Sequence, residues 1–479
     1  MRKIIVFSSA MLISGSLFAG GLVTNTNQSA MFTRLQNRNA STSIDAVYYN
    51  PAGLTKLGNG LFLSVNNQTI SQTKTVINNY NYLANKPRDF VGKVSAPVFP
   101  GVYAAFNMGK LSFSAGFNPV GGGGGAKYDE GLPSFEMNIS DLVPGLQSQL
   151  QPLAGFIPGV NGISGYNADI FFEGTSVYFG YQANVAYELN DMISVALGAR
   201  LVTAKNTYSG YIRDVTITGL AAMGGTVAPG QYLRNIAAVV PEPFKTQLNT
   251  NAAGLDMRTQ VEADVEETGS GITPIISVNI SPLEMLNVAV KYEFATKLEM
   301  TTTVNDNKSA GGMFVNDSKF RADMPAMLAV GAELRPIDKF MVTASFNTYF
   351  DKNLDTKAIN STTIDKNFME YGLGAEYGLS DKLKVSAGWV ATSTSVNTNY
   401  QSDQTYSTNT NSFGAGFGYR LNSLVELNIG GQYTMYADGT KDFTHLLGGN
   451  AAFPIPVSET YQKKTWLIGI GANFFFGKE

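Results

Sequence analysis

Along this chain apolar and polar side chains take turns with a period of two, in about fourteen separate runs. In residues 110–118, Leu111, Phe113, Ala115 and Phe117 share one parity, and Ser112, Ser114, Gly116 and Asn118 the other. Val177, Phe179, Tyr181, Ala183, Val185 and Tyr187 repeat the pattern, as do Phe413, Ala415, Phe417, Tyr419 and Leu421 against Gly414, Gly416, Gly418 and Arg420. Trp466, Ile468, Ile470, Ala472, Phe474 and Phe476 close the chain. Successive side chains on a strand point to opposite faces, so each run carries one apolar row and one polar row. The runs fall at 60–75, 97–107, 110–119, 172–189, 192–212, 257–280, 285–304, 318–334, 339–353, 366–379, 382–396, 409–421, 424–437 and 463–476.

The connections sort into two classes that alternate. Met108-Gly109, Asn190-Asp191, Ser281–Glu284, Arg335–Asp338, Ser380-Asp381 and Asn422-Ser423 are short, and every connection between them is long. Short turns on one side and long loops on the other are the sequence form of an outer-membrane barrel, with both termini on the short-turn, periplasmic side. Soluble sandwiches and propellers also alternate, but they do not explain loops confined to one side. Closure leaves no unpaired backbone edge in lipid. Trp389 and Trp466 fall near the outer strand ends on the apolar parity, where an interfacial belt belongs. The predicted fold is all-β: a transmembrane antiparallel barrel of about fourteen strands.

Composition agrees. The 479 residues include 29 Phe and 23 Tyr, yet mean hydropathy is -0.03, too polar for a helical membrane protein. No segment reaches the roughly 18 consecutive apolar residues of a helical span. The chain has no cysteine, which excludes a disulfide scaffold and a zinc-thiolate centre. A formal charge of -3 gives no reason to expect nucleic acid. Residues 1–19 read as a signal peptide: Arg2 and Lys3, a short apolar core, then Ala19-Gly20 for cleavage.

Three regions depart from the alternation. Asn118-Pro119 is followed by glycines that include Gly121, Gly122 and Gly123. Proline removes a ladder donor and glycine removes side chains that would block an opening; a flexible loop hinge would use the same residues. The connection 126–171 carries Leu142, Leu146, Leu150 and Phe156, and the connection 213–256 carries Tyr232, Ile236 and Phe244. These are too apolar for loops in water unless they cover something: a lid with a greasy groove, or a simple closure of the barrel mouth. Interior parity puts Glu188, Arg200, Lys291, Glu293, Glu333, Glu376, Lys384, Arg420 and Glu426 in the lumen. Some of the acids are expected to hold Arg34, Arg38 and Lys56 of the N-terminal stretch, leaving Arg200 or Lys291 for a substrate carboxylate; lumen ion pairs bathed in water are the plainer alternative.

Residues 20–57 alternate poorly and are polar. Within them, Asp45-Ala-Val-Tyr-Tyr-Asn-Pro-Ala-Gly-Leu54 combines Asn50, Pro51, Ala52 and Gly53. Pro51 fixes its own φ and pushes Asn50 towards extended backbone, and Gly53 permits close approach. The stretch suits packing against other backbone, or an ordinary turn before a strand. It resembles the Asn-Pro-Ala region of the FadL family of outer-membrane transporters of long-chain fatty acids and other hydrophobic compounds, in the variant of Bacteroides-type bacteria. The resemblance extends through Gly20–Ser29 and Ala40–Asp45. It implies that residues 20–57 form a hatch inside a barrel spanning 58–479, that the third strand is kinked near Asn118-Pro119 to give a lateral exit, and that the two apolar loops capture ligand first.

An enzyme is not expected. The one histidine, His445, stands near Asp438, Asp442 and Thr444 in a long connection, but a Ser–His–Asp site needs a convergence that sequence cannot display. The chain has no phosphate loop, metal-spacing motif or dinucleotide fingerprint. The reading is a monomeric outer-membrane protein, without catalytic residues, metal or cofactor. It would take up hydrophobic small molecules such as long-chain fatty acids passively, through hatch movement and a possible sideways exit. Its other partners would be outer-membrane lipids and, during biogenesis, the barrel-assembly machinery. The alternative is a general diffusion porin or structural barrel.

Overall fold

The computed structural model of the chain describes residues 22–305, 314–356 and 358–477. The leader expected over residues 1–19 lies outside them. The strands are β1 (Gly60–Asn78), β2 (Arg88–Met108), β3 (Leu111–Tyr128), β4 (Gly165–Glu188), β5 (Ile193–Thr218), β6 (Val261–Leu283), β7 (Leu286–Glu293, resuming as Glu299–Val304), β8 (Lys319–Arg321, then Met327–Ile337), β9 (Phe340–Tyr349), β10 (Phe368–Gly378), β11 (Leu383–Ser393), β12 (Thr410–Arg420), β13 (Val425–Tyr436, resuming as Gly439–Leu446) and β14 (Pro454–Gly477). Each pairs antiparallel with the next. β14 returns to β1 from Gly60↔Gly477 to Asn78↔Glu459, so the cylinder of fourteen closes.

All fourteen expected runs are strands, but several extend further. β2 begins at Arg88 rather than 97, β4 at Gly165 rather than 172, and β14 at Pro454 rather than 463. The reason lies in a belt of aromatics. Trp389 faces Phe413, Phe413 faces Tyr433 and Tyr433 faces Trp466, one lateral row on the outer surface. Tyr187, Tyr377, Tyr419 and Phe476 are exposed nearer the short turns. Between these levels the outside is apolar, with Val185, Leu197, Leu373, Phe417, Ile468 and Ile470 exposed, as lipid requires. Beyond the Trp row the polarity inverts. Val76, Phe90, Val94, Phe172, Tyr208, Val265 and Val457 are buried inside, while Thr73, Lys93 and Lys127 are exposed. There the outer face meets water, so the outward apolar row that marks a spanning strand is gone.

The wall is uneven. β4, β5 and β14 have 24, 26 and 24 residues; β9 has 10 and β10, β11 and β12 have 11 each. The long loops fold over the low side and the mouth. α3 (Pro133–Ser140) and α4 (Leu142–Leu150) follow β3, and α5 (Pro229–Ala237) and α6 (Phe244–Arg258) follow β5.

The N-terminal stretch runs inside. It forms α1 (Ala30–Arg34), α2 (Ala46–Tyr49) and a 3-10 turn, Pro51–Leu57. Residues 22–55 are buried except Thr42 and Ser43. Ser29 caps α1 by accepting the Phe32 N–H at 3.0 Å. Only Gly58 and Asn59 separate this stretch from β1, with Gly58 at φ 78° and Gly60 at φ 133°, a left-handed backbone that glycine adopts readily.

Candidate functional site: a gap in the wall and the segment behind it

β2 and β3 pair from Met108↔Leu111 to Val102↔Phe117 and again from Val94↔Ala126 to Gly92↔Tyr128. In between, residues 95–101 of β2 and 118–125 of β3 do not meet. Both edges lack donors or side chains: Pro97 and Pro100 on β2, Pro119 and five consecutive glycines on β3. Against β4 the register slips twice, between Pro119 and Gly121 and between Gly121 and Gly124. Gly122 and Gly124 take φ of 90° and 64° there. Ser71 lies opposite both Trp466 and Ser95. The gap therefore starts at the level of the Trp row and continues into the membrane-embedded part of the wall.

The N-terminal stretch closes this gap from within. Asn25 N donates to Val120 O at 2.9 Å, and Gly122 N donates to Val23 O at 3.2 Å. Gln28 Nε2 donates to Pro119 O at 2.9 Å, and Asn118 Nδ2 donates to Gln28 Oε1 at 2.7 Å. From β2, Tyr103 donates its hydroxyl to Gln28 O at 2.6 Å. Backbone groups left unpaired by the wall thus find partners on the segment. Asn118, Pro119, Gly121 and Gly122 are brought together with it; Gly123 stays in the bulge.

The rest of the segment is seated on glycines of the opposite wall. A Cβ on Gly414 would stand 2.5 Å from Thr33 O, on Gly430 2.6 Å from Arg34 N, and on Gly331 2.5 Å from Ala40 N. These inward glycines let backbone lie on backbone. The Asn50–Gly53 motif is equally close-packed. Asn50 Nδ2 donates to Ser41 O at 3.1 Å and to Asn279 Oδ1 at 2.7 Å, and Ser277 Oγ donates to Asn50 Oδ1 at 3.2 Å. Pro51 opens the 3-10 turn, Ala52 packs on Ala186 and Ala196, and a Cβ on Gly53 would meet Ser41 O at 2.7 Å.

Charges complete the attachment. Arg34 pairs with Glu376, and its Nε donates to Asn428 Oδ1 at 2.9 Å. Lys56 reaches Glu188 at 3.9 Å. Arg38 does not use a lumen acid: its Nε and Nη2 donate to Asp45, both at 2.9 Å, within the segment itself. Arg200 and Lys291 are not left for a substrate carboxylate. Arg200 grips Glu293 at 2.7 and 2.9 Å, and Lys291 donates to Glu293 Oε1 and to Tyr48 O, both at 2.7 Å. Glu333 pairs with Arg335 at 2.7 Å. A cavity of about 20 Å³ beside Arg38, Tyr48 and Lys291 has room for a single water.

Above, the two apolar loops pack on each other. Leu146, Leu150, Tyr232 and Ile236 are buried in one cluster, with Leu142 and Phe244 against it. Phe156 is exposed beside Phe244, ring centroids 6.3 Å apart. The residues expected to line a groove are thus mostly spent on mutual packing. Beneath lies a second apolar cluster, in which Phe135 and Leu132 of the first loop meet Phe172, Tyr208, Tyr128, Val94, Ile70, Leu467 and Phe99 of the wall. Val94 and Phe99 border the gap. His445 Nε2 lies 2.8 Å from Asp141 Oδ2, and Tyr80 donates to the other oxygen at 2.5 Å. That ties a strand extension to the α3–α4 junction. Sequence reasoning missed Pro97, Pro100 and the glycine seat, and placed Glu293 in the lumen without its partners Arg200 and Lys291. Two prolines inside a strand run were the legible signal.

Residues 175–476 match the family model described as outer membrane protein transport protein (OMPP1/FadL/TodX). Among solved structures, a Pseudomonas aeruginosa FadL homologue is 12% identical, with TM-score 0.64, covering 95% of this chain and 100% of its own. The toluene transporter TbuX of Ralstonia pickettii is 14% identical with TM-score 0.53, covering 90% and 94%. The P. putida toluene transporter TodX is 12% identical with TM-score 0.55, covering 91% and 95%. No curated protein matches the chain in sequence.

Proposed function

The chain belongs to the FadL/TodX family of outer-membrane transport proteins, and from that membership we propose that it takes up hydrophobic small molecules, long-chain fatty acids among them, by passive diffusion through the wall gap. The external loops would capture the molecule. The apolar cluster from Phe135 to Phe99 would carry it down the inside of the tall wall. Displacement of residues 23–28 would open the gap between β2 and β3, and the molecule would leave sideways. Residues 20–57 would act as the hatch and the two loops as the lid of a monomer. Affinity would come from buried chain length, about 0.8 kcal/mol per methylene.

The observation that carries this reading is the gap itself, edged by prolines and glycines, with the segment behind it bonded to its β3 edge. A general diffusion porin accounts for it less well, since an open aqueous channel needs no break in the wall sealed by an internal segment. The test is uptake by cells expressing the chain, with labelled palmitate and labelled toluene as probes. Joining Q28C to N118C with a short thiol cross-linker, in a chain with no other cysteine, pins the segment across the gap and should abolish uptake while the barrel still assembles. Undiminished uptake by that variant would overturn the sideways route; absence of uptake of either probe by the native chain would overturn the transport reading for them.

A further inference from the structure

Beyond the Trp row, about 7 Å further along each strand, the outer face carries a second lateral row that the register traces from strand to strand. On β14, Lys464 lies opposite Met435 of β13 and Thr73 of β1. Thr73 lies opposite Lys93 of β2, and Lys93 opposite Lys127 of β3. All three lysines are exposed. To one side the row continues through Met435 to Asn411 and Ala391, without charge. To the other it continues through Glu173 and Ser209 to Asp264. Positive charge at this height is thus gathered on β14, β2 and β3, around the gap.

The row is short of partners. Among the described residues Lys93 and Lys464 form no ion pair. Lys127 reaches Asp129 at 2.7 Å, an exposed pair worth little in water. Lys93 and Lys127 face each other directly, and like charges so placed destabilise a sheet. Other outer-face cations hold carboxylates: Lys205 lies 2.6 Å from Glu266, and Arg213 2.8 Å from Asp169.

Height indicates which anion would fit. The stretch from Trp466 to Phe476 rises about 33 Å along β14, or about 25 Å across the membrane at the usual tilt, the full apolar band. The lysines therefore stand among the head groups of the outer leaflet, just past the aromatic belt. Beneath them the belt is interrupted, because Ser71 and Ser95 take the place of aromatic rings on β1 and β2. From Ser95 downward the β2 edge is unpaired, and Val98 there is 69% exposed. A positive shelf above bare apolar wall suits an amphiphile with its charge up and its chains down.

We propose that Lys93, Lys127 and Lys464 dock the phosphate of an outer-leaflet lipid, whose acyl chains descend over Ser71, Ser95 and Val98 and cover the gap from the membrane side. The N-terminal segment closes the gap from within, and the lipid closes it from without. The dock stands whether or not cargo leaves by that gap, so it goes beyond the uptake reading.

The test uses the two tryptophans as local probes in the full-length barrel. The barrel is reconstituted in dioleoyl phosphatidylcholine with a minor fraction of dibromostearoyl phosphatidic acid, whose brominated chains quench the rings they touch. In W389F the remaining ring, Trp466, adjoins the dock; in W466F the remaining ring, Trp389, lies three strands away. Trp466 should report phosphatidic acid enriched roughly thirtyfold over its bulk fraction, about 1 kcal/mol for each of the two lysines without ion pairs. Trp389 should report the bulk fraction. Adding K93Q/K127Q/K464Q to W389F should return Trp466 to the bulk level, with heat-dependent gel mobility showing that the barrel is still assembled. Dibromostearoyl glycerol, with the same chains and no phosphate, should show no enrichment, and inorganic phosphate should not displace the lipid. Equal quenching at the two tryptophans, or unchanged quenching in the lysine variant, would overturn the dock. So would equal enrichment of the glycerol lipid, which would mean chain contact alone, or displacement by inorganic phosphate, which would mean a site for a soluble anion.

Discussion

The segment inside the bore and the loops over the mouth both cover the same barrel, by opposite chemistry. Residues 22–57 are held by amides, hydroxyls and ion pairs, with Gln28, Asn50, Arg34 and Arg38 each making several directed bonds. The loops are held by Leu146, Leu150, Tyr232 and Ile236 in an apolar cluster. Directed bonds fix one position, because leaving it strands several buried polar groups at once. Apolar contact is non-directional, so a hydrophobic molecule can replace one loop's contact with another at small net cost. Directed bonds thus hold the segment in the bore in one place, while the apolar contact at the mouth is the more adaptable of the two.

The largest effect should come from the glycine seat. Gly414→Leu places a side chain where a Cβ alone would stand 2.5 Å from Thr33 O. The segment should lose its place, and single-channel conductance in planar bilayers should rise from near zero to a steady open level. Next, Arg34→Ala leaves buried Glu376 with only the half-exposed Lys384 at 3.9 Å, a loss of up to about 3 kcal/mol. Faster hydrogen exchange at residues 30–40, with the barrel strands unchanged, would register it. In the loops, Leu150→Ala should weaken lid packing by about 2–4 kcal/mol and speed exchange in α4 and α5, yet leave bilayer conductance as it was. If conductance followed the Leu150 change as strongly as the Gly414 change, the division of labour would be wrong.

Two smaller effects sharpen the contrast. Asp351, in the loop after β9, is buried, and burial pushes its carboxyl up to about 7. A pKa raised in the fold means that its contribution is fully present below about 3.8 and lost as pH rises through about 7. Order in residues 350–367 should therefore decline across that window, and Asp351→Asn should remove the dependence, as read by exchange rates at pH 5 and 8. Lys56 and Glu188 are 3.9 Å apart and partly solvated. Lys56→Ala should change barrel stability by less than about 1 kcal/mol.

The sequence showed the spanning part of every strand, because lipid outside and polar groups inside force an alternation that survives in the residue order. Trp389 and Trp466 marked the belt for the same reason. It did not show where strands stop. Above the belt Val94, Phe172 and Val457 turn inward, and an apolar row facing in cannot be told from one facing out by spacing alone. The lumen charges were legible by parity; their pairing was not. Arg38 found Asp45 seven residues away, and Arg200 on β5 found Glu293 on β7, one strand over; spacing along the chain specifies neither partner. The glycines at Gly414, Gly416 and Gly418 were visible as the quiet face of an alternating run, but nothing local said that Thr33 and Arg34 would rest on them.

Gly58 and Asn59 are the whole link between the stopper and the first strand. A leash of two residues reaches about 7 Å when taut. In the uptake proposed above, the part that yields would stay captive on it and could return to its place by itself, with no partner needed to put it back.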